Sequence, residues 1–213
     1  PGGRVLSRDE LERVAVLCKK HGVRVVSDEI HCELTLGDHR YTPFGTLPDD
    51  LSYGSVTCCS PSKAFNIAGL QIANIVCRDA AVRERIDRAI NINEVCDVNP
   101  FGVLALQAAY SDGGYEWLCQ LRAYITENYR RLRDLFAREL PHLPVMNMEG
   151  TYLAWVDCSS LSESSEHIEE RLMRENRVWV NAGSMYGKEG EGFIRINMAC
   201  PWSRLEEGIK RIG

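Results

Sequence analysis

Apolar positions along this chain switch between two periods, and the switches mark its elements. After Ser7, residues Leu11, Val14, Leu17 and Cys18 recur three or four positions apart, the spacing of one helical face. Ser7 stands where an N-cap belongs, and Glu10 three residues later completes a capping box. His21-Gly22 supplies the glycine stop. "VRVVSDEIH" (residues 23–31) then packs three valines into four positions and turns abruptly polar, which predicts a buried strand ending at a site. Residues 31–54 carry the breakers Gly37, Pro43, Gly45, Pro48 and Gly54 and read as loop.

"SVTCCS" (55–60) and "LQIANIVC" (70–77) predict two further short strands, and "DAAVRERIDRAINI" (79–92) an amphipathic helix. After Asn99-Pro100 a helix covers about 101–111. A long charged helix follows from about 114 to 140, closed by Pro141 and Pro144. Such a helix spans roughly 40 Å and suits a connector between domains. Beyond it, "TYLAWVD", "VWVNAG" and "GFIRINMA" read as strands, "SSEHIEERLMREN" and "SRLEEGIKRI" as helices. Alternation in "GFIRINMA" sets Phe193, Arg195 and Asn197 on one face and Ile194, Ile196 and Met198 on the other. The fold class is therefore α/β. A mostly parallel sheet with helices occupies residues 1–113, a connecting helix 114–140, and a small α+β domain 141–213.

Composition narrows the partners. The chain has 213 residues, 45% hydrophobic and 26% charged, an ordinary globular balance. A net charge of −5 argues against a nucleic-acid surface. No apolar run approaches the roughly 20 residues of a membrane-spanning helix, and no basic stretch followed by an apolar one marks a secretory signal. Nine cysteines are scattered, several inside apolar segments (Cys58, Cys59, Cys77, Cys96), without CxxC or Cys/His spacing for zinc. They read as reduced, buried thiols of a cytoplasmic protein with no metal. The opening "PGGR" lacks a methionine and moves at once into a helix, as if the chain began in the middle of something.

Three positions carry candidate chemistry. Asp28 and Glu29 end the first strand, and ligands of open α/β sheets bind at the carboxyl edge. Lys63 lies just past the second strand, on the same edge if the two strands are parallel, and "AFNIAGLQIANIV" after it is almost wholly apolar or small. Desolvation lowers the pKa of an amine and makes it a nucleophile. Arg195, between apolar strand neighbours, has the planar fork that clamps a carboxylate. Taken one at a time, a solvated strand end, a surface lysine and an exposed strand arginine remain open.

Together, "SDEIH", "SPSKAFNIAGLQ" and "GFIRINMACP" resemble the class I/II aminotransferase superfamily in order and rough separation. These are fold type I enzymes that use pyridoxal 5′-phosphate, and the resemblance runs over essentially the whole chain. Within the superfamily the wording is most similar to the cystathionine β-lyase-like C–S lyases. The resemblance implies that Lys63 carries the cofactor, that Asp28 pairs with its pyridine nitrogen, and that Ser60 and Ser62 bind its phosphate. It implies that Arg195 receives the substrate α-carboxylate. His31 stands three residues after the aspartate, where many aminotransferases have a tyrosine against the ring hydroxyl. Gln71 replaces the usual phosphate-binding arginine, and Pro61 also departs from the common pattern; both changes suit the lyase subgroup.

The activity implied is β-elimination from cystathionine- or cysteine-type amino acids, giving pyruvate, ammonia and a thiol. Transamination uses the same Lys63, Asp28 and Arg195 and is the alternative; a non-catalytic regulatory module is the second. The phosphate loop, stacking aromatic and asparagine that precede "PGGR" in family members are not in this sequence. The expectation is the C-terminal half of such an enzyme, with part of the fold type I large domain and the small domain. Family practice adds a homodimer, a small amino-acid substrate, and neither a membrane nor a nucleic-acid partner.

Overall fold

The computed structural model describes residues 2–95 and 97–213. It divides into two compact units. The first takes in Val5–Thr35 and His39–Gln120. It opens with helix α1 (Arg8–Lys20), whose Ser7 and Glu10 close both bonds of the capping box. Strand β1 (Val26–Asp28) follows, then a 3₁₀ turn at Phe44–Thr46 and helix α2 (Asp49–Ser52). Strands β2 (Val56–Cys59) and β3 (Asn74–Val76) precede helices α3 (Ala80–Ile92) and α4 (Pro100–Ala109).

Three strands form the sheet of this unit in the order β1-β2-β3. β1 and β2 are parallel, with Val26 opposite Val56 and Asp28 opposite Cys58, whereas β3 runs antiparallel to β2. Two small clusters are part of its core. Ala15, Phe44 and Leu47 form one, with Leu11, Val25 and Leu51 against it; Val56, Cys77 and Val82 form the other. Two sequence expectations change here. The valine-rich segment is not a buried strand: Val23 and Val26 are 57% and 65% exposed, and only Val25 packs inward. β1 has β2 as its sole strand neighbour among the described residues, so β-branched residues mark the strand without a layer to cover it. The expected loop at 31–54 also contains α2, which starts directly after Pro48 with Asp49 and Asp50 in its first turn.

Helix α5 (Asp112–Glu139) runs for 28 residues; those up to Gln120 belong to the first unit and those from Leu121 to the second. The second unit comprises residues up to Arg4, Leu36–Asp38 and Leu121–Gly213. It contains β4 (Leu153–Asp157), α6 (Ser165–Arg174), β5 (Asn181–Ala182), β6 (Phe193–Asn197) and α7 (Trp202–Ile212). Its sheet is antiparallel throughout, in the order β4-β6-β5. Ile194, Ile196 and Met198 are buried together with Ala154 and Val156 of β4, Ile168 and Leu172 of α6, and Leu132 and Phe136 of α5. Asn128, buried on α5, donates to the carbonyls of Met198 and Cys200 and pins the end of β6. The strand expected at "VWVNAG" contracts to Asn181–Ala182, since the chain turns through a left-handed Arg177 and leaves Trp179 79% exposed.

The eight described cysteines are all free thiols. Only Cys77 and Cys158 are buried and Cys119 is exposed, so the expectation of buried thiols holds for a minority. Burial pushes the Cys158 thiol up to about 11. Cys58 and Cys59 are half-covered because their strand lies in a sheet with little above it, and Cys96 lies outside the described residues.

Candidate active site

Parallel pairing of β1 and β2 brings the ends of both strands to one sheet edge. Asp28 is the last residue of β1, Cys59 the last of β2, and the Glu29 amide donates to the Cys58 carbonyl at 2.8 Å. Asp28 is exposed there; its Oδ1 accepts the Ile30 amide at 3.2 Å, shaping the turn that carries half-buried His31. The chain leaves β2 through buried Ser60 and Ser62 and reaches Lys63, which is half-buried. The Lys63 amine makes no hydrogen bond or ion pair with any described residue. Asp28, His31, Ser60, Ser62 and Lys63 therefore share one unit and Asp28 and Lys63 one edge; Arg195 stands in the other unit.

Several contacts hold the Lys63 segment. Ser60 Oγ donates to the Ile72 carbonyl at 2.6 Å and lies 2.7 Å from Ser62 Oγ. One hydroxyl has one proton, so Ser62 is the donor in that pair, and its backbone amide also reaches Ser60 Oγ at 3.1 Å. Both serine protons are thus spent within the loop in this arrangement. Asn66 (φ 54°) and Gln71 (φ 49°) adopt left-handed backbone on either side of the following turn, a conformation that costs a residue with a side chain. Phe65 stacks on Trp117 at 5.4 Å and meets Tyr110 edge-on at 6.4 Å. At Gly102 on α4 a Cβ would stand 2.9 Å from the Leu70 carbonyl, so only glycine lets that helix approach the loop.

Carboxylates line the same edge. Glu29 is buried, and its Oε1 accepts from Ser27 Oγ at 2.9 Å and from the Phe44 amide at 3.0 Å. Tyr110 donates to Glu33 Oε1 at 3.1 Å, while Glu33 Oε2 is buried without a hydrogen-bond partner. Burial first, and then Glu33, push the Tyr110 hydroxyl and the Cys32 thiol well above their usual ranges. Burial, Asp28 and Glu29 raise the Cys58 thiol in the same direction. Thiols of this edge are therefore held in the protonated form. Among the described residues no group of His, Cys, Asp or Glu has the arrangement of a metal site.

On the second unit, Arg195 sits at the middle of β6, opposite Trp155 of β4 and Asn181 of β5. The alternation expected from sequence is present: Ile194 and Ile196 are buried, while Phe193 and Arg195 are half-exposed on the other face. Nη2 donates to Asn181 Oδ1 at 3.3 Å, and Nε is buried with no acceptor. The guanidinium lies over the Tyr186 ring, 4.1 Å from its centroid. No carboxylate of a described residue pairs with it. The arginine is a cation held in place without its counter-ion.

The sequence pattern of the aminotransferase class I and II family matches residues 1–212. The chain belongs to this family. Cystathionine beta-lyase PatB of Bacillus subtilis is 41% identical over 212 residues, covering 100% of this chain and 54% of PatB. Cystalysin of Treponema denticola, whose structure contains pyridoxal 5′-phosphate, superposes with a TM-score of 0.95 at 31% identity, covering 99% of this chain and 53% of cystalysin. A PLP-bound C-S lyase of Staphylococcus hominis matches with a TM-score of 0.87 at 33% identity, over 100% of this chain and 55% of its own. The chain spans about half the length of the curated relatives it matches. Its α/β fold is accordingly part of the fold type I architecture.

Within this family member, sequence reasoning missed the residues that support the motifs. Tyr110, Glu33, Phe65 and Trp117 of the first unit, and Tyr186 and Asn181 around the arginine, meet only through tertiary structure. Phe65, two residues after Lys63, had a local signal: a large aromatic in a turn between small residues needs a packing partner. Tyr186 had none.

Proposed function

We propose that this aminotransferase-family chain supplies the lysine, aspartate and arginine of a pyridoxal 5′-phosphate-dependent C–S β-lyase acting on cystathionine- or cysteine-type amino acids. One observation carries the reading: a half-buried Lys63 amine without a described partner, on the sheet edge that also ends in Asp28. Such an amine has no structural ion pair to maintain and is available to a carbonyl carbon. Asp28 has Oδ2 free of the turn bond made by Oδ1, which fits a carboxylate that pairs with a protonated ring nitrogen. Ser60 and Ser62 fit a phosphate less directly, since Ser62 must rotate away from Ser60 to donate. Backbone amides of the turn and Ser62 are the donors left to that role. His31 is placed in the same edge turn, beside rather than on the strand.

In this reading Lys63 would hold the cofactor, and its free amine would take the proton from substrate Cα. Arg195 binds the α-carboxylate and orients that C–H bond. Bound pyridoxal 5′-phosphate supplies the electron sink for the electron pair left at Cα. A thiolate on Cβ leaves, and the remaining fragment takes up water to give pyruvate and ammonia. The names of PatB and of the staphylococcal C-S lyase support elimination over transamination. Free thiols support a reducing, cytoplasmic setting, and a homodimer belongs to the same reading. Among the described residues no helix is long and apolar enough to cross a membrane.

The test is product analysis of the protein containing this chain, incubated with cofactor and L-cystathionine. Pyruvate in step with a new thiol, abolished in Lys63→Ala, is the expected result. An amino group transferred to a 2-oxo acid, with no thiol released, would assign the aminotransferase alternative instead.

A further inference from the structure

Arginine side chains lose rotamer freedom when fixed, so one that must receive a planar carboxylate benefits from being fixed beforehand. We propose that Tyr186 is a positioning residue that clamps the Arg195 guanidinium for the substrate carboxylate; this rests on the reading of Arg195 given above. The Arg195 Cζ lies over the ring, 4.1 Å from its centroid, and the ring meets Trp155 edge-on at 5.6 Å, while Trp155 in turn meets Phe193 at 6.0 Å. Three aromatic rings thus form one wall along the open face of β4 and β6, and Arg195 rests on it. Asn181 supplies the only hydrogen bond to the guanidinium among the described residues, and at 3.3 Å it is a long one. Stacking on Tyr186 is therefore the main restraint. It leaves the rim of the fork, where a carboxylate binds, unblocked.

Tyr186 is itself held by its loop. It ends the 3₁₀ turn Gly183–Tyr186, which Gly187 closes at φ 125°. Gly183 and Gly190 touch so closely that a Cβ on either would fall 2.2 or 2.1 Å from the other's carbonyl oxygen. Ser184 donates to Glu166 on α6, and Ser165 accepts the Gly192 amide at 2.9 Å while its own amide donates to Glu191 at 2.9 Å. Both ends of the loop are pinned to the start of α6, and the tyrosine between them cannot drift off the guanidinium without breaking these contacts.

The experiment measures the rate at which phenylglyoxal modifies Arg195, by peptide mass mapping, in the cofactor-loaded protein containing this chain, with and without propionate as the carboxylate probe. Tyr186→Leu is compared with Tyr186→Phe, which keeps the ring, and with Tyr186→Met as a second non-aromatic replacement; thermal melts check that each is folded. We expect faster labelling of Arg195 in the leucine and methionine variants and about a tenfold higher propionate concentration for half-protection, with phenylalanine restoring the parent values. KM for the amino-acid substrate rises in parallel while kcat changes little. Labelling and protection unchanged in both non-aromatic variants would overturn the clamp. Failure of propionate to protect Arg195 in the parent protein would instead overturn the carboxylate role of Arg195, and the clamp's purpose with it.

Discussion

Ser60 serves three contacts through one hydroxyl: it donates to the Ile72 carbonyl and accepts from both the hydroxyl and the amide of Ser62. Replacing it with alanine strands a buried carbonyl and a buried hydroxyl, each of which costs about 1–3 kcal/mol when left unpaired. Ser60→Ala should therefore lower the thermal midpoint by several degrees and loosen the turn that carries Lys63. Ser62→Ala, which removes one donor and strands no carbonyl, should cost less. Differential scanning calorimetry of the two variants checks the order, and equal midpoints would contradict this account of the loop. At this scale the candidate residues could be named from sequence: Asp28, Lys63 and Arg195 stood out as polar groups at strand ends or between apolar neighbours. The Tyr186 clamp was not legible, because a ring in a glycine-flanked turn announces neither its direction nor its target. Nor was the bond from Ser60 to the Ile72 carbonyl, which joins residues twelve apart in sequence.

Among the elements, α1 and β6 were readable because one local rule decides each of them. Ser7 and Glu10 cap α1 as the spacing requires, and strict alternation buries Ile194 and Ile196 while turning Arg195 outward. β1 and the "VWVN" segment were misread for the complementary reason. Valine and tryptophan report a preference for a pleated surface, and whether a layer covers that surface is decided elsewhere in the chain. Helix α5 offers a test of its own. Arg130 and then Arg131 hydrogen-bond Glu127 and hold its carboxyl down to about 2. A folded-state value below the unfolded one, about 4.3, means that the contribution is complete above pH 4.3 and is lost as pH falls toward 2. The network is exposed, so the effect is small. Glu127→Gln should melt slightly below the parent protein at pH 6, and the gap should shrink as pH falls toward 2. A gap of the same size at pH 6 and pH 2 would rule out the ion pairs as its source.

For the molecule as a whole, the first unit is short of cover. Val14, Val16 and Leu17 of α1, Val26 of β1, and Ile75 and Val76 of β3 are all exposed. Apolar side chains gathered on a helix and both outer strands of one sheet mark surfaces that associate. The 213-residue chain on its own should self-associate and bind a hydrophobic dye, and Val26→Lys with Ile75→Lys should reduce both. Light scattering that finds a monomer without dye binding would contradict this. The second unit, with an antiparallel sheet and core residues drawn from β4, β6, α5, α6 and α7, should be the last part to exchange its amide hydrogens.

The central claim, that Lys63 is the residue that holds the cofactor, is most directly tested by trapping. The protein containing this chain is incubated with pyridoxal 5′-phosphate, reduced with borohydride, digested, and mapped by mass spectrometry. A single phosphopyridoxyl adduct on Lys63, absent from Lys63→Ala, is the predicted result. Adducts scattered over other lysines such as Lys19, Lys20 and Lys210, with Lys63 unmodified, would contradict it.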